Sequence, residues 1–147
     1  MRNLDWPPVW TAGFLVAIWG LDRAMPLGLF GALGRILGPA LMLAGVILML
    51  LAVWRMAQAR TTVIPRREPA ALVTDGVFAL SRNPIYLGDA LVILAAIFWW
   101  DVALALPLVA VFGWIIQTRF ILGEEARLRS GFGAAYTQWA ARVRRWI

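Results

Sequence analysis

Four apolar stretches stand out between Val9 and Leu122. They run from Val9 to Leu21, Ile36 to Trp54, Ile85 to Trp100, and Val102 to Ile116 with an extension through Arg119 to Leu122. A helix needs about 20 mostly apolar residues to cross the hydrocarbon core of a bilayer. The second stretch meets that length directly. The first is short, so it tilts little, thins the bilayer, or continues through Leu27 to Phe30 along the interface. The chain has 147 residues, 62% of them apolar and 15% charged, whereas a soluble domain is nearer half apolar and a quarter charged. So short a chain has too little interior to hide the excess. The expected fold is all-α: one integral membrane domain over residues 1–147, with four transmembrane helices and a C-terminal amphipathic helix on the cytoplasmic side.

Charge placement supports this organisation. All 14 basic residues are arginines. Eleven of them fall in two segments, Arg55 to Asn83 and Arg119 to the C-terminus. Four spans put both segments on one side, and the positive-inside rule makes that side cytoplasmic, with both termini there. The Asp22 to Arg35 connection and the Asp101 turn then face outward. The expected location is an inner (plasma) membrane. Arginines that flank apolar runs encode topology, so the net charge of +6 does not argue for nucleic acid. The start of the chain does not read as a cleavable signal, because Asp5, Pro7 and Pro8 interrupt it. Pro39 falls in the first turn of the second stretch, where proline is tolerated. Pro107 is expected to kink the fourth. Gly34 and Gly38 form a small-xxx-small pair that can mark close helix packing.

With no Cys and no His, the chain lacks disulfides, thiolate nucleophiles, imidazole bases and the usual ligands of a metal site. In the C-terminal segment Leu128, Phe132, Tyr136, Trp139, Val143 and Trp146 recur at helical spacing. That face suits a helix lying on a membrane surface, with a bend at Gly131 and Gly133.

Chemistry has three candidate places. In Ser81-Arg82-Asn83-Pro84-Ile85-Tyr86-Leu87-Gly88, Asn83 suits an N-cap and Pro84 a first helical residue. The bland reading is a well-made helix start. The functional one is an anion site at the helix N-terminus, with Tyr86 beside it and Gly88 permitting close approach to the backbone. Glu124 and Glu125 sit just past the fourth span. They are either acids complementing a helix start, paired with Arg127 or Arg129, or groups that bind ribose hydroxyls or an ammonium. Asp89 lies inside an apolar stretch, where an acid is costly and most often functional; Arg82 and Arg119 are possible partners.

Taken together, the Ser81–Gly88 motif, then Glu124-Glu125, Leu128, Phe132-Gly133, Tyr136 and Val143-Arg144-Arg145-Trp146, resemble the isoprenylcysteine carboxyl methyltransferase family. That family belongs to a wider membrane group with the phospholipid N-methyltransferases. Thr61-Thr62-Val63-Ile64-Pro65 and Leu72-Val73-Thr74-Asp75-Gly76 look like its cytoplasmic loop, so the resemblance covers about residues 55–147. Many members have His where this chain has Asn83. The resemblance implies S-adenosylmethionine as cofactor. Asn83, Tyr86, Gly88, Glu124 and Glu125 are the expected cofactor-binding residues, and Arg82, Asp89 and Arg119 the expected catalytic ones. It also implies a lipid-like or prenylated acceptor entering from the bilayer. A carboxylate acceptor needs only a cation to orient it, for which Arg82 and Arg119 are candidates. An amine needs a group to handle its proton, for which Asp89 or Glu125 are candidates. The leading expectation is carboxyl O-methylation of an isoprenylcysteine-type acceptor. Phospholipid N-methylation, a small four-helix transporter and a non-catalytic scaffold are the alternatives.

Overall fold

The computed structural model describes residues 5–147; residues 1–4, where the expected cytoplasmic N-terminus itself falls, lie outside the described residues. The regular structure of the described residues is all helical, with no strand. Helix α1 spans Pro7–Ala24, α2 Gly31–Gln58, α3 Pro84–Trp99, α4 Leu106–Ile116 and α5 Leu122–Arg142. A π-helical turn, Gln117–Ile121, joins α4 to α5 without a break, and a 3-10 turn at Ala103–Ala105 leads into α4.

Among the described residues two helices are long and apolar enough to cross a membrane: α2, and the 40-residue run Ala103–Arg142. Helix α3 is apolar but only 16 residues long. On α2, Ile36, Leu43 and Leu50 are 68%, 61% and 64% exposed. A seven-residue spacing places them on one face, the pattern of a helix facing lipid rather than a protein core. Exposed tryptophans mark both ends of the bundle, Trp6 and Trp54 at the arginine-rich end and Trp19 and Trp99 at the other, as interfacial anchors do. The Ala103–Arg142 run is not one straight rod, since it bends at Gly133. Most of its charge lies beyond Leu122, with Glu124, Glu125, Arg127, Arg129 and Arg142.

The opposite face of α2 carries Gly34, Gly38, Gly45 and Ala52, all buried. A Cβ on Gly34 would run into the Phe98 carbonyl of α3, and one on Gly38 would meet the Trp99 backbone at 3.1 Å. A Cβ on Gly45 would meet the Gly88 carbonyl at 2.8 Å. The small-residue pair seen in the sequence is thus the first part of a longer seam along which α2 and α3 pack backbone to backbone. Gly88 belongs to the same seam: a side chain there would strike Met49 and the Gly45 carbonyl. The close approach that Gly88 permits is that of α2. We predict that Gly88→Ala destabilises the folded protein by about 1–3 kcal/mol through overpacking, and that adding Met49→Ala recovers part of the loss. Thermal unfolding in detergent measures both. An unaffected Gly88→Ala would mean that the seam tolerates separation.

Three sequence expectations about the helices are corrected. Helix α2 begins at Gly31, not near Ile36, so Pro39 lies inside it and removes one backbone hydrogen bond. That early start is stabilised in trans. The Asp101 carboxylate accepts the Leu29, Phe30 and Gly31 N–H groups at 2.8, 2.6 and 2.8 Å, the orphan donors of a helix N-terminus. These backbone bonds, Phe30 first, hold the Asp101 carboxyl below the usual range. The same contact shows that the Asp22 to Arg35 connection and the Asp101 turn share one end of the bundle, as expected. Pro107 sits in the first turn of α4 and causes no kink; the irregularities of this long run are the π turn and Gly133, whose φ is 49°. Finally, the helix does not restart at Glu124-Glu125. It runs through them, so they complement no free helix N-terminus.

The bend at Gly133 turns the end of α5 inward. Tyr136, Trp139 and Val143 are buried with Phe78 and Ala52, and Leu128, Phe132, Leu72 and Val73 pack around them. Trp146 packs on the main helical core instead. The apolar face expected to lie on a membrane surface is turned onto the protein, because the 61–80 loop offers it an apolar surface.

Candidate functional site

At the arginine-rich end a cavity of about 370 Å³ opens between the start of α1, the second half of α2, the Thr61–Val73 loop, the start of α3 and the middle of α5. Of the eight residues singled out from sequence, six line it: Arg82, Asn83, Tyr86, Asp89, Glu124 and Glu125. Gly88 and Arg119 do not. Gly88 faces α2, as described. Arg119 belongs to the π turn, is half-exposed, reaches Asp5 at 3.3 Å and lies over the Trp10 ring.

Arg82 is at the centre of the polar wall. Its Nη1 donates to the Tyr136 hydroxyl at 3.1 Å, and its Nη2 lies 3.3 Å from Glu125. Arg145 grips the same carboxylate with two bonds, Nε at 2.9 Å and Nη2 at 2.8 Å. Glu125 is buried. Burial works against its charge, but the Arg145 hydrogen bond and the nearby Arg82 guanidinium outweigh it and hold the carboxyl below its usual range. Both Glu125 oxygens are thus engaged by protein. Its neighbour Glu124 differs: it accepts the Tyr86 hydroxyl at 2.8 Å, and no arginine lies within ion-pair distance among the described residues. Burial pushes the Glu124 carboxyl up. The local pairs with Arg127 and Arg129 read from the helix wheel do not form.

The start of α3 is tied to the chain's last residues. The Arg82 N–H donates to the Arg144 carbonyl at 3.0 Å. The Asn83 side-chain amide and the Ser81 hydroxyl both donate to the Arg145 carbonyl, at 3.0 and 3.3 Å. Asn83 stands at the N-cap position, as expected, but its side chain makes no capping bond; it holds the C-terminal segment instead. Trp139 donates to the Phe78 carbonyl at 3.1 Å and closes the same corner. The sequence places Tyr136 and Trp139 on the apolar face, and Tyr136 and Arg145 also in the family-like pattern, but gives none of the three a polar partner. Their polar roles show only when residues twenty to some sixty positions apart meet.

Asp89 lies one turn deeper than Tyr86 along the cavity. Its two expected partners are engaged elsewhere, Arg82 with Glu125 and Arg119 with Asp5. No cation lies within 4.0 Å of it among the described residues.

Over the mouth, the Thr61–Val73 loop is fastened by a cluster around Asp5. Arg66 and Arg119 both reach the Asp5 carboxylate, and Trp10 donates to it at 3.1 Å. Arg66 also lies over the Phe120 ring. The Arg66 hydrogen bond, followed by that of Trp10, keeps the Asp5 carboxyl below its ordinary value. We predict that Asp5→Asn leaves the melting temperature nearly unchanged, since exposed pairs contribute little to global stability. Trypsin should cut faster at Arg60, Arg66 or Arg67 in the released loop. Equal cleavage rates would show that the cluster does not restrain it.

A family model described as phospholipid methyltransferase matches residues 33–135, from the start of α2 to the bend in α5. The chain belongs to the phospholipid methyltransferase family. The match takes in the whole Ser81–Gly88 motif, Asp89 and both glutamates, and stops one residue short of Tyr136. It bears out the broader membrane methyltransferase group read from the motifs. The isoprenylcysteine branch is not the one that matches, and the likeness reaches further back, into α2, than the motif resemblance did. Neither the curated proteins nor the solved structures gave a significant match. The family is one of methyltransferases, which generally use S-adenosylmethionine, and membrane integration agrees with both the family and the two long apolar helices. Among the described residues no cluster of metal-ligating side chains occurs.

Proposed function

We propose that this protein transfers a methyl group from S-adenosylmethionine to the headgroup of a membrane amphiphile, a phospholipid first. The observation that carries this reading is one cavity joining the Arg82–Tyr136–Glu124 polar wall to an apolar wall of Pro7, Pro8, Met49 and Met56. A polar cofactor and a lipid-borne acceptor can meet there.

The residues present suit the cofactor. Arg82 Nε is buried and has no hydrogen-bond partner, an orphaned donor whose burial is costly without an acceptor. With the N-terminus of α3 beside it, it fits a carboxylate. Glu124, which has no arginine within ion-pair distance among the described residues, fits an ammonium or ribose hydroxyls, and Leu72, Val73, Phe78 and Leu128 fit an adenine ring. Glu125 acts as the anchor that holds Arg82. When bound, S-adenosylmethionine would supply an activated methyl on positively charged sulfur. The protein's own part is alignment and exclusion of water.

Carboxyl O-methylation of an isoprenylcysteine-type acceptor is the second reading. Arg66, Arg67 and Arg127, which line the cavity, favour any anionic group at its mouth, carboxylate or phosphate. A transporter gains nothing here, since Asp89 lines a cavity at one end of the bundle rather than a path through its middle. By the positive-inside rule the cavity is cytoplasmic, in a plasma membrane. Calorimetric titration of the detergent-solubilised protein with S-adenosylmethionine and S-adenosylhomocysteine tests the proposal. Binding of both supports it; absence of binding by folded protein overturns it.

A further inference from the structure

We infer that the loop from Thr61 to Ala71 is a docking surface for the anionic face of the bilayer in which the helices sit. The loop is shut by its own side chains, as compact surface loops are. At its neck the Thr61 hydroxyl accepts the Ala70 and Ala71 N–H groups at 3.0 and 3.3 Å. Near its tip the Ile64 N–H donates to the Thr62 hydroxyl at 3.0 Å. That local turn leaves Val63 and Ile64 44% and 36% exposed. Two adjacent apolar side chains on a tip otherwise made of Thr, Pro and Arg gain free energy from any apolar cover. The depth of the tip says which cover is at hand. Arg66, next to the tip, reaches the Asp5 carbonyl at 3.1 Å and the Asp5 carboxylate. Asp5 directly precedes Trp6, an exposed interfacial tryptophan. The tip therefore stands level with the membrane–water boundary, where acyl chains begin.

Charge selects the kind of lipid. Arg60, just past the end of α2, has a φ of 51°, and Arg66 has a φ of 66°. Arginine rarely takes this left-handed conformation, which falls to glycine or asparagine at a helix end. For Arg66 the contact with Asp5 compensates. Arg60 has no acid within 4.0 Å among the described residues, and neither has Arg67. The loop, its preceding residue and its fastening together hold Arg60, Arg66, Arg67 and Arg119 against two acids, Asp5 and Glu68. A surplus of guanidinium groups beside an apolar tip matches phosphates above acyl chains: the arginines take the phosphates and the tip takes the hydrocarbon. A soluble acidic partner would satisfy the arginines but would leave a tip at the depth of Trp6 uncovered. The same loop lines the cavity, so the cavity's cover is held from two sides, by Asp5 and by lipid.

The chain has no Cys, so a single Cys introduced at the tip carries the only label. Ile64→Cys bearing an environment-sensitive NBD fluorophore is placed, in the full chain, in nanodiscs of phosphatidylcholine with or without phosphatidylglycerol. The discs include lipids that carry a nitroxide quencher just below the headgroup. Ser130→Cys, exposed on α5, is the aqueous reference. The label at Ile64 should be quenched more than the one at Ser130. Phosphatidylglycerol should raise the ratio of docked to free loop by about fivefold for each free arginine, the effect of one guanidinium at an anionic surface. Arg60→Gln with Arg67→Gln should remove that rise, as should high salt. Val63→Asp should weaken quenching in both lipids. Quenching no greater than at Ser130 overturns the inference, and so does a phosphatidylglycerol effect that is absent or that survives the loss of both arginines. A blue-shifted label that the nitroxides do not reach overturns it too, because the tip would then be packed inside the cavity. None of these readouts depends on cofactor or acceptor binding.

Discussion

Replacing Glu125 by alanine is expected to abolish S-adenosylhomocysteine binding and to lower stability by about 2–4 kcal/mol, somewhat less than the cost of breaking a fully buried ion pair because Arg145 is partly exposed. The reason is indirect. Glu125 is the one acid that Arg82 and Arg145 share. Without it, two guanidinium groups face each other across the cavity wall. Arg82 then turns toward other acceptors and loses the geometry that leaves its Nε available. Glu125→Gln keeps the shape and one acceptor, so it should retain most of the stability while still weakening binding. The pH dependence has a definite sign. The folded carboxyl is held below its usual value of 4.5, so its contribution is fully present above that value. It is lost as pH falls through the lower, folded value. Wild type should therefore lose stability over this acid window more steeply than Glu125→Gln, as read by thermal unfolding between about pH 6 and 3. Parallel curves for the two proteins would remove Glu125 from the network, and unchanged affinity in Glu125→Ala would remove it from the site.

The sequence shows the helices more clearly than it shows their ends, for a physical reason. Apolar runs report burial in lipid or protein, while ends are set by hydrogen bonds that come from anywhere. Asp101 looks like a polar interruption between two spans. Its carboxylate caps α2 from about seventy residues away, and so the start at Gly31 had no local signal. Pro39, which the apolar run places in a first turn, therefore lies inside the helix. The site follows the same division. Arg82, Tyr86 and the two glutamates were legible because charged and hydroxyl groups stand out beside apolar spans. Which glutamate is anchored was not, because that depends on Arg145, twenty residues on and brought back only by the bend at Gly133. Arg119 reads from the sequence as a partner for Asp89 or a cation that orients a carboxylate acceptor. The π turn adds a residue to the helix and rotates the downstream residues around its axis, and Arg119 points to Asp5. Gly88 carried a true signal of close backbone approach, but a glycine cannot say whether a ligand or another helix approaches.

A chain that stops at Arg142 is expected to lose cofactor binding completely and to loosen its arginine-rich end, although the family match ends at residue 135 and both glutamates remain. Residues 143–147 contribute few contacts by number but they are placed at the motif. Val143 fills the small core with Phe78 and Tyr136. The Arg144 and Arg145 carbonyls take the Arg82 N–H, the Ser81 hydroxyl and the Asn83 amide. The Arg145 side chain takes Glu125, and Trp146 donates to Gln117 of the π turn. Each hydrogen bond contributes about 1 kcal/mol net, the burial of Val143 roughly 1.5–3 kcal/mol, and the ion pair a similar amount. Their sum rivals the whole stability of an ordinary domain, and its loss falls on one corner. The membrane helices do not depend on these contacts, because their seam of glycines lies on α2 and α3. The truncated chain should therefore keep its helical circular dichroism and its partition into detergent while trypsin opens the 61–80 loop. Arg145→Ala with Trp146→Ala, in a chain of full length, separates side-chain from backbone effects: it should weaken binding strongly yet leave the loop protected. Undiminished binding by the truncated chain would mean that the Arg82 wall stands without its C-terminal brace, and the site would then have to be sought within residues 33–135 alone.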